Sequence, residues 1–202
     1  MHTAFHRNAT IVASLLLIAA VTQAIYTALH AAEMDVPRQF LWGTEGVLFT
    51  ILAAFAGAAM VQVKEFHVGW AAIAASAVLN VVQVGVGLTL FGPFFEVAGE
   101  LPQMAPVASA IVAYSFMVYN AAKVLIALAA VVFGLGQMSA GSKAVGGLTA
   151  IVGAVALVSN ALSAAMGRDF AGGLPIAGGS GVAATVLLAV CLFAQARADA
   201  AK

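Results

Sequence analysis

Charge is what this chain has least of. Lys and Arg together number 8, Asp and Glu another 8, so 8% of the 202 residues are charged and the formal net charge is zero. Soluble domains carry about 25% charged residues. A soluble fold of this size could not hide the 63% of residues that are hydrophobic, because even large domains leave much apolar surface in water. A neutral chain without a basic stripe also excludes nucleic acid as a partner. Cysteine is nearly missing. With Cys191 alone there can be no intrachain disulfide, thiolate metal site or dithiol pair. Cys191 lies in the last apolar run, where it reads as a buried, inert thiol.

Other signatures are absent too. The alternating ten-residue segments of a membrane β-barrel do not occur. The glycine-rich stretch 172–181 lacks the Gly-Lys-Ser/Thr ending of a phosphate loop and reads as a flexible connection. His30 and His67 fall at opposite ends of the apolar runs, which disfavours bis-His ligation of one haem and leaves haem with another ligand open. His2 and His6 read as a solvated tail. No serine or cysteine stands beside an evident base, so an enzyme is the least favoured class. The residues identify no cofactor and no metal site.

What the sequence does hold is apolar runs long enough to cross a bilayer, which takes about 20 residues. Six fall near 9–31, 40–63, 68–91, 107–138, 145–166 and 177–195. In hydrocarbon, backbone polar groups must pair within the segment, so such runs form helices. The expected fold is all-α: a single polytopic transmembrane bundle of about six helices over residues 1–202. Arg7 before an apolar stretch resembles a signal peptide, but the run continues as a helix pattern through Tyr26 to His30. The fourth run is long for one span and predicts a tilted or projecting helix, with Pro106 in its first turn. Gly92-Pro93 predicts the end of the third helix, and the segment from there to Pro106 could cover a pocket mouth. Ala53 and Gly57 suit close helix packing. Trp42 and Trp70 suit interfacial anchoring.

The runs 40–91 and 107–166 can be overlaid as a parallel repeat of helices 2–3 and 4–5, with Glu45 on Lys123 and Asn80 on Asn160. Arg7, Lys64, Lys143, Arg197 and Lys202 fall on one side and only Arg38 and Arg168 on the other. The first side, with both termini, is expected to be cytoplasmic. Short loops and Ala-rich composition suggest a bacterial inner membrane.

Depth carries the functional reading. At about 1.5 Å per residue, Gln23, Tyr26, Glu45, Asn80, Gln83, Tyr119, Asn120, Lys123 and Asn160 all fall in the non-cytoplasmic half of a core about 30 Å thick. Gln23, Tyr26 and His30 share a helix face, as do Asn80 and Gln83. These nine residues other than His30 are the candidate ligand site, with Glu45 and Lys123 expected to pair. A purely structural polar network fits the same residues. The first functional reading is binding or transport of a small polar or amphipathic ligand, with Glu45 as the titrating group if protons are coupled. The second is a non-catalytic lipid-, quinone- or pigment-binding subunit, or a partner in a homo-oligomer or larger membrane complex. The third is a lipid-modifying enzyme using Glu45, Lys123 and Tyr119.

Overall fold

The computed structural model describes residues 2–34, 36–167 and 176–200 (backbone only at 2, 3, 30, 31 and 198–200). Six helices account for nearly all of them: α1 His2–Ala31, α2 Arg38–Met60, α3 His67–Glu100, α4 Ala105–Ser139, α5 Lys143–Met166 and α6 Ile176–Ala200. Each is long and apolar enough to span a membrane. Many large apolar side chains point outward, among them Phe40, Val47, Ile51, Val78, Ile151 and Val158. Water would penalise such a surface; lipid covers it. The protein is an integral membrane helix bundle.

Consecutive helices alternate in direction, so α1 and α6 place both termini at one end. That terminal end also holds the α2–α3 and α4–α5 turns. Helices α1, α2, α3, α4 and α6 follow one another around a ring, and α6 closes it against α1. Helix α5 packs outside the ring, against α4 and α6.

The α4–α5 contact is intimate because glycine permits it. A Cβ added at Gly146 would stand 2.5 Å from the Gly134 carbonyl oxygen, and one at Gly134 would stand 2.7 Å from the Ala150 nitrogen. Without side chains there, two backbones meet directly. Gly57, expected to serve this purpose, has no neighbour within 4 Å of its missing Cβ. The composition of a small-xxx-small pair is not enough, since the pair must also face a neighbouring helix.

Two further expectations are corrected. Gly92-Pro93 does not end the third helix; α3 runs through Pro93 to Glu100. Proline removes one backbone donor, but α3 continues along α4, and the Phe91 and Phe95 rings meet edge to face at 6.0 Å. The segment 93–106 is the end of α3, a 3-10 turn at Pro102–Met104 and the start of α4. Helix α3 has 34 residues against 23 in α2, so the α3–α4 hairpin stands about 16 Å beyond α2. Finally, α1 and α6 extend past the apolar runs, to His2 and Ala200.

The two tryptophans are not interfacial anchors either, because both are buried. Trp70 is 0% exposed. Its ring meets Phe5 of α1 at 5.9 Å and Phe133 of α4 at 5.3 Å, both edge to face. Gly69 leaves room for the Phe133 ring, which would lie 2.7 Å from a Cβ at that position. These three aromatics sit where the ring of helices would otherwise be hollow, and they plug it near the terminal end. Leu16, Leu52, Ile73, Ile126 and Leu188 continue the packing toward the middle.

Candidate functional site

Above this plug, toward the end opposite the termini, the ring opens into a cavity of about 350 Å³. All five ring helices line it. Helix α1 contributes Gln23, Tyr26 and Thr27; α2 contributes Trp42 and Glu45; α3 contributes Gln83 and Phe91. Helix α4 adds Ser115, Phe116 and Tyr119, and α6 adds Gly178. Five of the eleven lining residues are aromatic, so the walls are broad ring surfaces with a few polar groups between them. Ligand sites commonly have this composition.

Trp42 holds one wall. Its ring stacks on Tyr26 at 5.4 Å and meets Phe91 at 5.7 Å. It lies directly on Gly87 of α3, where any Cβ would collide with it. Arg38, one turn earlier on α2, stands 6.0 Å from the same ring at the exposed rim. A cation over a ring face is favourable.

Glu45 is 5% exposed. Thr22 Oγ1 donates to its Oε1 at 2.7 Å. The second oxygen, Oε2, takes no hydrogen bond from a described residue. It is not sealed in, as the unpaired amide oxygens of Asn80 and Asn160 are, so it opens onto the cavity that Glu45 lines.

Lys123 is 2% exposed and stands behind the wall. Its Nζ donates to Gln23 Oε1 at 2.6 Å and lies 5.3 Å from the Tyr119 ring centroid. Gly181 of α6 makes room for the lysine stem, whose Cδ would be 3.2 Å from a Cβ there. Lysine can only donate, so it fixes which end of the Gln23 amide faces it. The amide nitrogen is left as a donor on the cavity side.

The expected ion pair does not form. Instead both charges bond to α1: Glu45 accepts from Thr22, and Lys123 donates to Gln23. Adjacent residues of α1 therefore hold one charge each.

Of the nine candidate residues, Gln23, Tyr26, Glu45, Gln83 and Tyr119 line the cavity. Gln83 Nε2 donates to Ser115 Oγ at a long 3.4 Å, bridging α3 and α4. Lys123 supports the wall without forming it. The three asparagines lie off the cavity. Asn80 Nδ2 donates to the Ser76 carbonyl at 2.9 Å, and Ser76 in turn ties α3 to the Ala122 carbonyl of α4 at 2.8 Å. Asn160 Nδ2 links α5 to the Ala177 carbonyl of α6 at 3.0 Å. Asn120 Nδ2 returns to its own helix at Phe116. Of the three only Asn160 ties two helices directly; Asn80 and Asn120 bond within their own helices, with Ser76 carrying the α3–α4 link. The His30 side chain, Asp35 and residues 168–175 lie outside the described residues.

Trp42, Phe91, Phe116, Ser115, Thr22 and Thr27 were not legible as site residues. Aromatic and hydroxyl side chains in an apolar run look the same whether they face lipid, core or cavity. Thr22 alone carried a signal, as the neighbour of Gln23 at the depth of Glu45. Polar contacts are also not confined to the cavity half. Asn8 Nδ2 donates to Gln62 Oε1 at 3.2 Å, and Gln137 Nε2 to the Cys191 carbonyl at 3.2 Å, both near the terminal end. Cys191 is buried, with Sγ 3.3 Å from Thr149 Oγ1.

Among the described residues, no group of three or more His, Cys, Asp or Glu could hold a metal ion. Comparison with known proteins finds no match among family models, curated proteins or solved structures. The functional reading therefore rests on the cavity itself.

Proposed function

We propose that the protein binds a small amphipathic molecule in this cavity, as the loading site of a membrane carrier. The carrying observation is the contrast along the ring axis. A cavity with one open carboxylate oxygen and five aromatic walls sits above a Trp70–Phe5–Phe133 plug. A through-going channel would need polar lining at both levels. A site open at one end and packed at the other suits alternating access.

The described basic residues support an orientation. Arg7, Lys64, Lys143 and Arg197 are exposed at the terminal end, against Arg38 at the cavity end. By the positive-inside rule the termini are cytoplasmic, and the cavity loads from the opposite side. A bacterial inner membrane suits the short connections.

Tryptophan emission tests the reading, because one tryptophan lies in the cavity wall and the other in the plug. Protein in nanodiscs is titrated with a panel of small aromatic amphipaths, with empty nanodiscs as the control for partitioning into lipid. The expected result is a saturable change that Trp42→Phe abolishes and Trp70→Phe retains. A response only linear in concentration, or one unaltered by Trp42→Phe, would overturn the proposal.

A further inference from the structure

The charge and hydrogen-bond inventory of the cavity specifies a ligand class. This step rests on the reading of the cavity as a ligand site. Two buried charges belong to it, Glu45 on the wall and Lys123 behind Gln23. They have opposite sign and are held by adjacent residues of α1, so the two buried charges sum to zero. Arg38 stands at the rim, over the Trp42 ring.

A ligand cation could approach Glu45 Oε2. It would then share a low-dielectric space with Lys123, with Glu45 the one buried carboxylate among the described residues to offset both. A ligand anion would meet the open oxygen of Glu45 directly. Charge inside a protein is costly unless it is balanced, and here a charged ligand of either sign would leave the two buried charges of Glu45 and Lys123 with an excess. An uncharged ligand avoids both penalties.

Of the open polar atoms on the wall, which include Gln83 Oε1 and the Tyr119 hydroxyl, two belong to the residues that hold or carry the buried charges. Glu45 Oε2 is an acceptor without a described donor. Gln23 Nε2 is a donor whose sense Lys123 imposes. A single hydroxyl or primary amide satisfies both at once, giving a hydrogen to Glu45 and accepting one from Gln23. Trp42, Tyr26 and Tyr119 offer flat faces to the remainder of the molecule. We infer that the cavity takes an uncharged ring compound bearing a hydroxyl or amide head, held head-inward between Gln23 and Glu45.

Three probes of one shape test this: 3-phenylpropan-1-ol, 3-phenylpropylammonium and 3-phenylpropionate, titrated at neutral pH into nanodisc-held protein with Trp42 emission as readout. The alcohol is expected to bind at least tenfold tighter than either ion. The charge inventory also predicts how that preference moves. Lys123→Met leaves an uncompensated carboxylate, so the ammonium should gain on the alcohol by tenfold or more. Glu45→Gln leaves an uncompensated ammonium, so the carboxylate probe should gain instead. Each variant is judged on the ratio between probes, so a general loss of affinity does not hide the effect. If a variant fails to fold, the wild-type ranking decides alone.

A wild type that prefers an ion, or variants whose ranking does not move, would overturn the inference while leaving the cavity a ligand site. No saturable response to any of the three would overturn this inference and the proposed function together.

Discussion

Lys123 Nζ and Gln23 Oε1, one hundred residues apart in the chain, meet at 2.6 Å across the ring of helices. Their helices, α4 and α1, have no close backbone approach. The bond is made by two long side chains reaching toward each other, and it joins opposite sides of the ring at the level of the cavity floor. A charged donor in hydrocarbon costs at least about 2.5–3.5 kcal/mol unless paired. The amide oxygen, the Tyr119 ring and the nearby Glu45 together offset that cost.

This arrangement predicts where Lys123 is energetically coupled. A double-mutant cycle of Gln23→Ala with Lys123→Met should give a coupling of about 1.5–3 kcal/mol, the range for a hydrogen bond to a charged group. The cycle of Glu45→Gln with Lys123→Met should give less, because those two do not touch. Reversible unfolding in mixed micelles measures both. A larger coupling to Glu45 would mean that the two charges form a direct pair.

The plug predicts an asymmetry at Trp70. Its indole Nε1 is buried without a partner, so the polar atom contributes nothing that phenylalanine would lose. Trp70→Phe should cost about 1 kcal/mol, mostly as a small cavity. Trp70→Ala should cost about 3–5 kcal/mol, the range for removing a large buried aromatic. Thermal unfolding of the two variants checks the difference. Equal, large losses would indicate a hidden partner for the indole N–H.

The α4–α5 contact predicts opposite outcomes for two glycine-to-alanine changes. Gly146→Ala places a methyl against the Gly134 carbonyl at 2.5 Å. Backbone cannot move aside cheaply, and overpacking of this kind costs about 1–3 kcal/mol. Gly57→Ala meets open space and should stabilise α2 by up to about 1 kcal/mol through helix propensity. Unfolding midpoints of the pair compare directly. A tolerated Gly146→Ala would mean that α4 and α5 are free to separate.

Composition and run length by themselves determine the solvent and the architecture. Six runs of about 20 apolar residues have one low-energy form in lipid, because each must close its own backbone hydrogen bonds. Depth could also be counted along a helix, which is why Gln23, Tyr26, Glu45, Gln83 and Tyr119 could be chosen in advance from their level in the bilayer. Azimuth could not. Whether a residue at the right level faces the ring axis or a neighbouring helix depends on how each helix is rotated and which helices adjoin it, and that is decided by packing among all six. So Asn80, Asn120 and Asn160 share the depth of the site yet lie off the cavity, bonded within their own helices or, for Asn160, to α6, while Trp42 and Phe91, ordinary members of apolar runs, become its walls. The same limit explains Glu45 and Lys123: their matched depth suggested a pair, but only the rotation of α1 assigned one to Thr22 and the other to Gln23.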